Sequence, residues 1–321
     1  YYYRWGNLSM DKALSSAGFC REDITDVFLT HLHFDHCGGC VNWNSDRSGY
    51  ELAFKNANVW SNKDHWDWAT SPNKREKASF LNENILIQAN LIKSAYLSNV
   101  EHFINLGSSC IYPKKSKQPI KENYLLTGSL EKTNEAYALA KIIGLKMCEF
   151  YNKQYQKTYL TLMPCNLYGP NDNFDSQNSH MVPAMIKKII LNNNTKNEPI
   201  EIWGNGKPKR EIMHVDDLAS AVLFIIRKKI KNDKALLKKI RLSPVINIGS
   251  GTENTIAQFA QIICKILKNK NEITYNQSYP NGTMRKILDS TTIRSFGWKP
   301  KITTKKGLTQ AINWYKNNYL K

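Results

Sequence analysis

The sequence has 321 residues, enough for one large domain or two, and 41% of them are hydrophobic, which excludes an intrinsically disordered chain. No apolar run approaches the roughly 20 residues of a membrane span, and no secretory signal is present, so we expect no membrane partner. The net charge of +18 indicates either an anionic partner, such as a phosphorylated metabolite, or solvated Lys-rich faces. Without an Arg-rich arm or zinc-finger spacing, we expect no nucleic-acid partner.

Cysteine usage and the first residue bear on the origin of the chain. Seven Cys are spread along the sequence, and an odd, scattered set is typical of reduced thiols rather than a disulfide framework. We therefore expect a cytoplasmic location. The sequence does not begin with Met, so we expect the natural N terminus to lie further upstream.

The charge changes abruptly near residue 87. Residues 1–87 hold nine Lys and Arg and eleven Asp and Glu, whereas residues 88–321 hold 36 and 16. Five of the eight Trp also lie before residue 88. No Gly-, Pro- or Ser-rich linker separates the two compositions, which is unusual for two folded domains. We expect one segment at residues 1–86 and a second at 87–321.

Strands and helices are predicted in the following chain order. Residues 11–19 have helical spacing and 26–30 form a short buried strand. After residue 87 helices and strands alternate, which predicts a doubly wound parallel sheet. The predicted helices are 88–99, 134–155, 179–190, 216–228, 255–268 and 306–318, and the predicted strands are 102–107, 158–164, 199–203 and 245–249.

A cluster of potential metal ligands follows the first predicted strand. The stretch Thr-His-Leu-His-Phe-Asp-His contains His31, His33, Asp35 and His36. Three imidazoles and a carboxylate suit one or two Zn²⁺ ions and an activated hydroxide. A structural role for the cluster is the alternative.

This stretch, with its flanks EDITDVFLTHLHFDHCGG and VWSNKDHWDWA, resembles the metallo-β-lactamase superfamily. The resemblance implies that His31 and His33 serve one metal and that Asp35 and His36 serve a second. In that superfamily further ligands follow downstream, but here the resemblance ends near residue 86. We therefore expect a partial metallo-β-lactamase-like α/β segment with, at most, a vestigial zinc site.

A second group of chemically active residues lies in the alternating region. Tyr137 and Lys141 are four residues apart in a predicted helix and so share a face. A nearby ammonium favours the phenolate and is expected to lower the pKa of Tyr137, which could then act as a general acid at a carbonyl oxygen. Ser108 and Cys110 follow a predicted strand, where open α/β sheets bind ligands. A surface Tyr and a solvated Lys are the alternative.

Six motifs together carry a resemblance to the extended short-chain dehydrogenase/reductase family, and within it to its GDP-L-fucose synthase branch. They are LGSSCIYPK, NLYGP, NSHMVPA, WGNGKPKRE, HVDDLA and GTMRKILD, and they extend from about Phe80 to the C terminus. The resemblance implies a Rossmann-like parallel sheet with a C-terminal substrate-binding lobe, NADP(H) as the cofactor, a GDP-sugar substrate and a homodimer.

The resemblance also implies roles for individual residues. Ser108, Tyr137 and Lys141 would form the reductase triad, and Cys110 and His180 would be base and acid for epimerisation at carbons 3 and 5 of a keto-sugar. The cofactor would be lined by Leu106, Gly107, Ser108, Ser109, Tyr137, Lys141, Pro164, Cys165, Asn166, Leu167 and His180. The nucleotide-sugar would contact Lys187, Trp203, Arg210, Lys286 and Asn281, the last standing where the family usually has Asp.

One expected motif is missing from the sequence. The family holds the dinucleotide diphosphate with a G-x-x-G-x-x-G turn, and no such spacing occurs in the chain. The expected sheet is therefore incomplete. The sequence predicts an NADPH-dependent 3,5-epimerase/4-reductase of GDP-4-keto-6-deoxy-mannose with impaired activity. A zinc-dependent hydrolase and a non-catalytic nucleotide-sugar binding module are the alternatives.

Overall fold

The computed structural model divides the chain into two compact units, Tyr1–Glu76 and Lys77–Lys321. The residues described are 14–15, 17–28, 41–43, 50–60, 77–174, 179–193, 195, 198–229, 233–279 and 281–320. The first helix of the second unit begins at Lys77. The predicted segment boundary after residue 86 therefore falls inside this helix, and the division lies ten residues earlier in the chain.

The described part of the first unit contains four short strands. They are β1 (Asp26–Phe28), β2 (Val41–Trp43), β3 (Tyr50–Leu52) and β4 (Asn58–Trp60). β1 pairs in parallel with β4, and β2 pairs antiparallel with β3. The predicted strand at 26–30 is present as β1 over its described residues. The predicted zinc ligands, His31, His33, Asp35 and His36, lie outside the described residues.

The second unit alternates helices and strands, as the sequence predicts. Its helices are α1 (Lys77–Leu97), α2 (Glu135–Tyr155), α3 (Met181–Asn192), α4 (Val215–Phe224), α5 (Lys234–Leu242), α6 (Ile256–Leu267), α7 (Thr291–Ser295) and α8 (Thr304–Tyr319). Its strands are β5 (His102–Leu106), β6 (Thr158–Pro164), β7 (Asn166–Tyr168), β8 (Ile200–Trp203), β9 (Lys209–His214), β10 (Val245–Ile248), β11 (Glu253–Thr255), β12 (Ile273–Asn276) and β13 (Arg285–Lys286). None of the described helices is long and apolar enough to cross a membrane.

The main sheet is Rossmann-like and parallel, with the strand order β10-β6-β5. Its central strand, β6, is buried at every position after the first, which explains its nearly continuous apolar sequence TYLTLMP. β5 is in register with β6 from His102 opposite Thr158 to Leu106 opposite Leu162. Since both strands run in the same direction, their carboxyl ends meet at one edge of the sheet.

Two long helices, α1 and α2, pack against each other and fix the position of the start of α2. Ile92 of α1 and Cys148 of α2 are fully buried with Tyr159 of β6 in one apolar cluster. Gln88 Nε2 donates a hydrogen bond to the Ala140 carbonyl at 3.1 Å and so links the two helices. The second turn of α2 is thereby linked to α1.

The C-terminal lobe is built around β9. This strand pairs in parallel with β7 and β13 and antiparallel with β11. A two-stranded parallel sheet of β8 and β12 lies beside helices α3, α6 and α8, whose apolar faces form a second core with Ile186, Phe259 and Leu308. The basic pair Lys209 and Arg210 of the WGNGKPKRE motif forms the start of β9.

Candidate active site

The loop after β5 places Ser108 and Cys110 at the carboxyl edge of the main sheet. Gly107 donates its N–H to the Leu162 carbonyl at 2.9 Å, which continues the β5–β6 pairing by one residue. A Cβ on Gly107 would collide with the end of the buried Met163 side chain, so an alanine here would require Met163 to move. Ser108 then caps a 3₁₀ turn at Ser109–Ile111, with its Oγ accepting the Cys110 N–H at 3.3 Å.

Tyr137 and Lys141 lie in the first two turns of α2, as predicted, and reach the same edge. Lys141 Nζ lies 5.6 Å from the centre of the Tyr137 ring and donates a hydrogen bond to the Leu106 carbonyl at 3.0 Å. The Tyr137 hydroxyl hydrogen-bonds to Ser108. The structure therefore brings together the Ser, Tyr and Lys that the sequence placed in one triad.

The predicted effect of Lys141 on Tyr137 is wrong for this structure. Burial, together with the charge of Cys110, raises the pKa of Tyr137 to about 12, and only the hydrogen bond from Ser108 lowers it. Burial also lowers the pKa of Lys141, whose ammonium is directed at the Leu106 carbonyl. Loss of hydration thus outweighs the neighbouring cation, and Tyr137 holds its proton firmly at neutral pH.

Cys110 is a partly buried free thiol among charged and polar neighbours. Its Sγ lies 2.7 Å from Ser108 Oγ, and either atom can be the donor. Two ammonium groups, those of Lys141 on α2 and Lys286 on β13, interact electrostatically with Cys110. The thiolate is the form of Cys that removes protons.

The residues predicted to line the cofactor lie on the ends of β5 and β6. Leu106 is 44% exposed at the end of β5, and Ser109 is buried in the turn that follows. Pro164 ends β6, the buried Cys165 donates its N–H to the Ile248 carbonyl, and Asn166 and Leu167 open β7. Burial raises the pKa of Cys165 well above its usual value, so this thiol is inert.

His180 is the predicted acid, and it lies at the N-cap of α3. Its imidazole is exposed and makes no capping hydrogen bond. It interacts electrostatically with Asp172, whose pKa burial raises and His180 lowers. The sequence did not identify this carboxylate, because it precedes His180 by eight residues in a stretch without regular periodicity.

The predicted nucleotide-sugar residues are only partly brought together. Trp203 is 58% exposed at the end of β8, and its ring stacks on that of Tyr279 at 4.2 Å between centroids with an interplanar angle of 9°. Lys188 Nζ lies 5.6 Å from the Trp203 ring, whereas the sequence singled out its neighbour Lys187, which is partly buried on α3. The sequence analysis therefore missed Tyr279 and Lys188, the two residues that contact the Trp203 ring.

Arg210 and Lys286 lie opposite each other on the paired strands β9 and β13. Burial lowers the pKa of each, and the charge of Arg210 lowers that of Lys286 further. Two unlike cations held side by side suit an anion that bridges them, such as a diphosphate. Asn281 has a local role in this structure, since its Oδ1 accepts the Asn205 N–H at 2.8 Å.

Metal binding has no support in the described part of the chain. Among the residues that the structure describes, no group of three or more His, Cys, Asp or Glu is placed to hold a metal ion. The predicted zinc ligands lie outside that part, so the zinc site stays a prediction.

The parallel sheet, with Ser108, Tyr137 and Lys141 at its carboxyl edge, is the Rossmann-like fold of epimerases and short-chain dehydrogenases/reductases. The chain belongs to the NAD dependent epimerase/dehydratase family, whose model matches residues 69–249. It is 40% identical to the GDP-L-fucose synthase of Escherichia coli strain K12 over 250 residues, which cover 77% of this chain and 76% of that protein. The sequence-based recognition of the GDP-L-fucose synthase branch is confirmed.

Solved structures agree with this assignment. A GDP-6-OMe-4-keto-L-xylo-heptose reductase from Campylobacter jejuni superposes with a TM-score of 0.68 at 29% identity, covering 83% of this chain and 91% of that chain. A GDP-mannoheptose C4 reductase from the same organism, with NADP bound, superposes with a TM-score of 0.66 at 27% identity, covering 92% and 99% of the two chains. The N-terminal residues 4–71 match a different model, that of the metallo-beta-lactamase superfamily.

Proposed function

We propose that the second unit carries the epimerase and reductase residues for GDP-4-keto-6-deoxy-mannose, with the reductase function impaired. The observation that carries the proposal is the meeting of Ser108, Cys110, Tyr137 and Lys141 at one edge of the sheet. A thiol, a phenol and a hydroxyl within hydrogen-bonding reach of one another can act on a ketone and on the carbons next to it.

Each residue has a distinct role in this proposal. Cys110 removes a proton from carbon 3 or carbon 5, which are acidic because they flank the keto group. Tyr137, which Ser108 holds by a hydrogen bond, donates to the keto oxygen and stabilises the enolate that forms. His180 returns a proton to the opposite face of the carbon. Tyr137, with its raised pKa, also supplies the proton that the keto oxygen gains on reduction.

The nucleotide end of the substrate is assigned to the C-terminal lobe. Arg210 and Lys286 would hold the diphosphate, and Trp203 presents an exposed aromatic ring for the base. Lys187 and Asn281 were predicted to join them, and both stay assigned here as contacts of the nucleotide-sugar. All of these residues belong to the second unit, so the proposed substrate site does not require the first.

The residues present fit one end of NADP(H) and not its diphosphate. Gly107, where a Cβ would strike Met163, and Pro164 at the end of β6 lie at the carboxyl edge of the sheet, which would take the nicotinamide. The G-x-x-G-x-x-G turn that would hold the diphosphate is absent from the printed sequence. When bound, the cofactor supplies the hydride for reduction. The epimerase residues need no hydride, so we expect epimerisation to survive in a chain that reduces poorly.

The test of the epimerase proposal uses the chain without added cofactor. Incubation with GDP-4-keto-6-deoxy-mannose in deuterated water should incorporate deuterium at carbons 3 and 5, measured by mass spectrometry. Cys110→Ser should suppress this incorporation by about 10²-fold or more. The buried Cys148→Ser change is the matched control and should leave incorporation intact. Equal incorporation by Cys110→Ser and the unaltered chain would remove Cys110 from the mechanism.

A non-catalytic GDP-sugar binding module is a second candidate, favoured by the missing cofactor turn. Calorimetric titration separates the two. We expect GDP to bind detectably and NADPH weakly or not at all, because a dinucleotide diphosphate needs backbone N–H groups on a Gly-rich turn. GDP binding without deuterium incorporation would establish the binding module. Micromolar NADPH affinity would show that another part of the chain provides a diphosphate site.

A homodimer is the proposed assembly, and helices α1 and α2 supply its surface. Both helices expose large apolar side chains, with Leu91 of α1 56% exposed and Phe150 of α2 59% exposed. Two packed helices of one copy could bury these side chains against the same pair of a second copy. Sedimentation should show a dimer that Phe150→Glu converts to a monomer, and a monomeric unaltered chain would contradict the assignment.

A further inference from the structure

The hydrogen-bonding capacity of Ser108 is fully used before any substrate arrives. Its Oγ accepts the Cys110 N–H at 3.3 Å, lies 2.7 Å from Cys110 Sγ and hydrogen-bonds to the Tyr137 hydroxyl. A serine hydroxyl has one proton to donate and two lone pairs. The backbone N–H can only donate, so it takes one lone pair. The remaining proton and lone pair must be divided between Cys110 and Tyr137.

This division can run in either of two directions. In one, Tyr137 donates to Ser108 and Ser108 donates to the Cys110 sulfur, which suits a thiolate. In the other, Cys110 donates to Ser108 and Ser108 donates to the Tyr137 oxygen, which suits a phenolate. The sulfur–oxygen contact allows either atom to be the donor. The two directions differ only by a shift of protons along three atoms.

We propose that Ser108 relays a proton between Cys110 and Tyr137, so that the base and the acid of the site are one coupled unit. The proposal rests on the function proposed above and goes beyond it, since there the two residues act separately. Cys110 as thiolate breaks a sugar C–H bond and becomes a thiol. Its S–H proton then passes to Ser108 Oγ while the Ser108 proton passes to a Tyr137 phenolate. The thiolate and the phenol are both restored, and the number of protons is unchanged.

The relay explains how the two residues would be reset within one active site. Tyr137 becomes a phenolate when it gives its proton to the keto oxygen, and Cys110 becomes a thiol when it takes a proton from carbon. The Cys110 thiol then has a proton to give, and the Tyr137 phenolate can accept it. The direct route along Ser108 avoids exchange with bulk water, from which both residues are partly shielded.

Charged and polar groups of two elements face the sulfur end of the relay. Lys141 and Tyr137 face it from α2, and Lys286 faces it from β13. Lys141 is held by the Leu106 carbonyl, and among the described residues no hydrogen bond or ion pair holds the Lys286 ammonium. The sulfur end of the relay therefore has two cations beside it. The phenol, by contrast, is deprived of hydration and holds its proton.

The test measures the reactivity of Cys110 in the free chain. Alkylation of Cys110 by iodoacetamide at pH 8 is followed by peptide mass spectrometry, with the exposed Cys20 of the same molecule as the internal reference. Ser108→Ala removes the donor to the thiolate and should slow Cys110 alkylation about tenfold relative to Cys20. Ser108→Thr keeps a hydroxyl and should restore a rate close to that of the unaltered chain.

Coupling is the decisive result. Tyr137 is uncharged at pH 8 because its pKa is about 12. It therefore affects the alkylation rate of Cys110 mainly through Ser108. Tyr137→Phe should slow Cys110 alkylation about threefold when Ser108 is present and should have no effect in the Ser108→Ala background. Equal effects of Tyr137→Phe in the two backgrounds, or no effect in either, would overturn the relay.

Two features keep this test separate from folding and from the proposed function. Cys148 is fully buried, so its protection from iodoacetamide in each variant reports an intact fold. If Ser108→Ala exposes Cys148, Tyr137→Phe is tested in the Ser108→Thr background instead. Tyr137→Phe should slow the alkylation of Cys110 in that background too. An unchanged alkylation rate would overturn the relay. No substrate or cofactor is added, so a chain without epimerase or reductase turnover can still show the coupling or its absence.

Discussion

Replacement of Arg210 by Met should weaken GDP binding about 10- to 100-fold. Arg210 lies on β9 beside Lys286, and its Nη1 donates to the Lys209 carbonyl at 2.9 Å, which fixes the guanidinium on its strand. Burial lowers its pKa, but a guanidinium stays charged at any working pH. One charge-assisted hydrogen bond to a phosphate contributes about 1.5–3 kcal/mol, and this range converts to the stated factor in the dissociation constant.

The neighbouring residue Lys209 gives a matched control. Adjacent residues of a strand point to opposite faces, so Lys209 cannot reach an anion held by Arg210. Its Nζ lies 3.8 Å from the Glu253 carboxylate, which also pairs with Arg285 at 2.9 Å and so keeps a partner when Lys209 is replaced. Lys209→Met removes the same charge and should change the GDP dissociation constant less than threefold. Calorimetric titration at one ionic strength measures both variants. If the two weaken binding equally, the effect is one of net charge, and the site assigned to Arg210 is wrong.

Three further outcomes follow from the structure. Gly107→Ala should lower the free energy of unfolding by about 1–3 kcal/mol in urea denaturation, because its Cβ would meet Met163, whereas Gly128→Ala, whose Cβ meets Pro113 at 3.3 Å, should cost less. The difference in ultraviolet absorbance between the unaltered chain and Tyr137→Phe should titrate at about pH 12. The raised pKa implies that the stability contributed by the buried phenol is complete below about pH 10 and is lost as the pH rises through the folded-state pKa of about 12. An absorbance transition at about pH 10 would contradict burial of the phenol. The predicted zinc ligands should support no hydrolase turnover, and esterase activity lost with a chelator and with His33→Ala would refute this.

Helices and buried strands of the second unit could be predicted from the sequence where their periodicity is long. The helix predicted at 134–155 is α2, Glu135–Tyr155, and the strand predicted at 158–164 is β6, Thr158–Pro164. In α2 apolar residues recur at the helical period over several turns, and in β6 they form a nearly continuous buried run. The local pattern therefore agrees with the tertiary environment.

The start of α1 and the strand β9 show where the local pattern fails. α1 begins at Lys77, but its first ten residues mix polar and apolar side chains without a capping signal, so the sequence indicated a helix only from residue 88. The sequence analysis predicted no strand at β9, Lys209–His214. It is a strand because β7, β11 and β13 pair with it, and pairing partners distant in sequence are not visible in a local window.

The site shows the same limit in its electrostatics. The spacing of Tyr137 and Lys141 predicted correctly that they share a helix face, but the inferred lowering of the phenol pKa required that the ammonium be directed at the phenol. In the structure the Leu106 carbonyl takes the ammonium's hydrogen bond at 3.0 Å, and burial of the phenol decides the direction of the shift. The position of the Leu106 carbonyl and the burial of Tyr137 depend on how α2 packs on β5, which residue spacing within α2 does not show. A phenol that holds its proton above neutral pH is suited to donate to a keto oxygen and is a poor base, so the burial that sequence spacing could not reveal assigns proton removal to Cys110 rather than Tyr137.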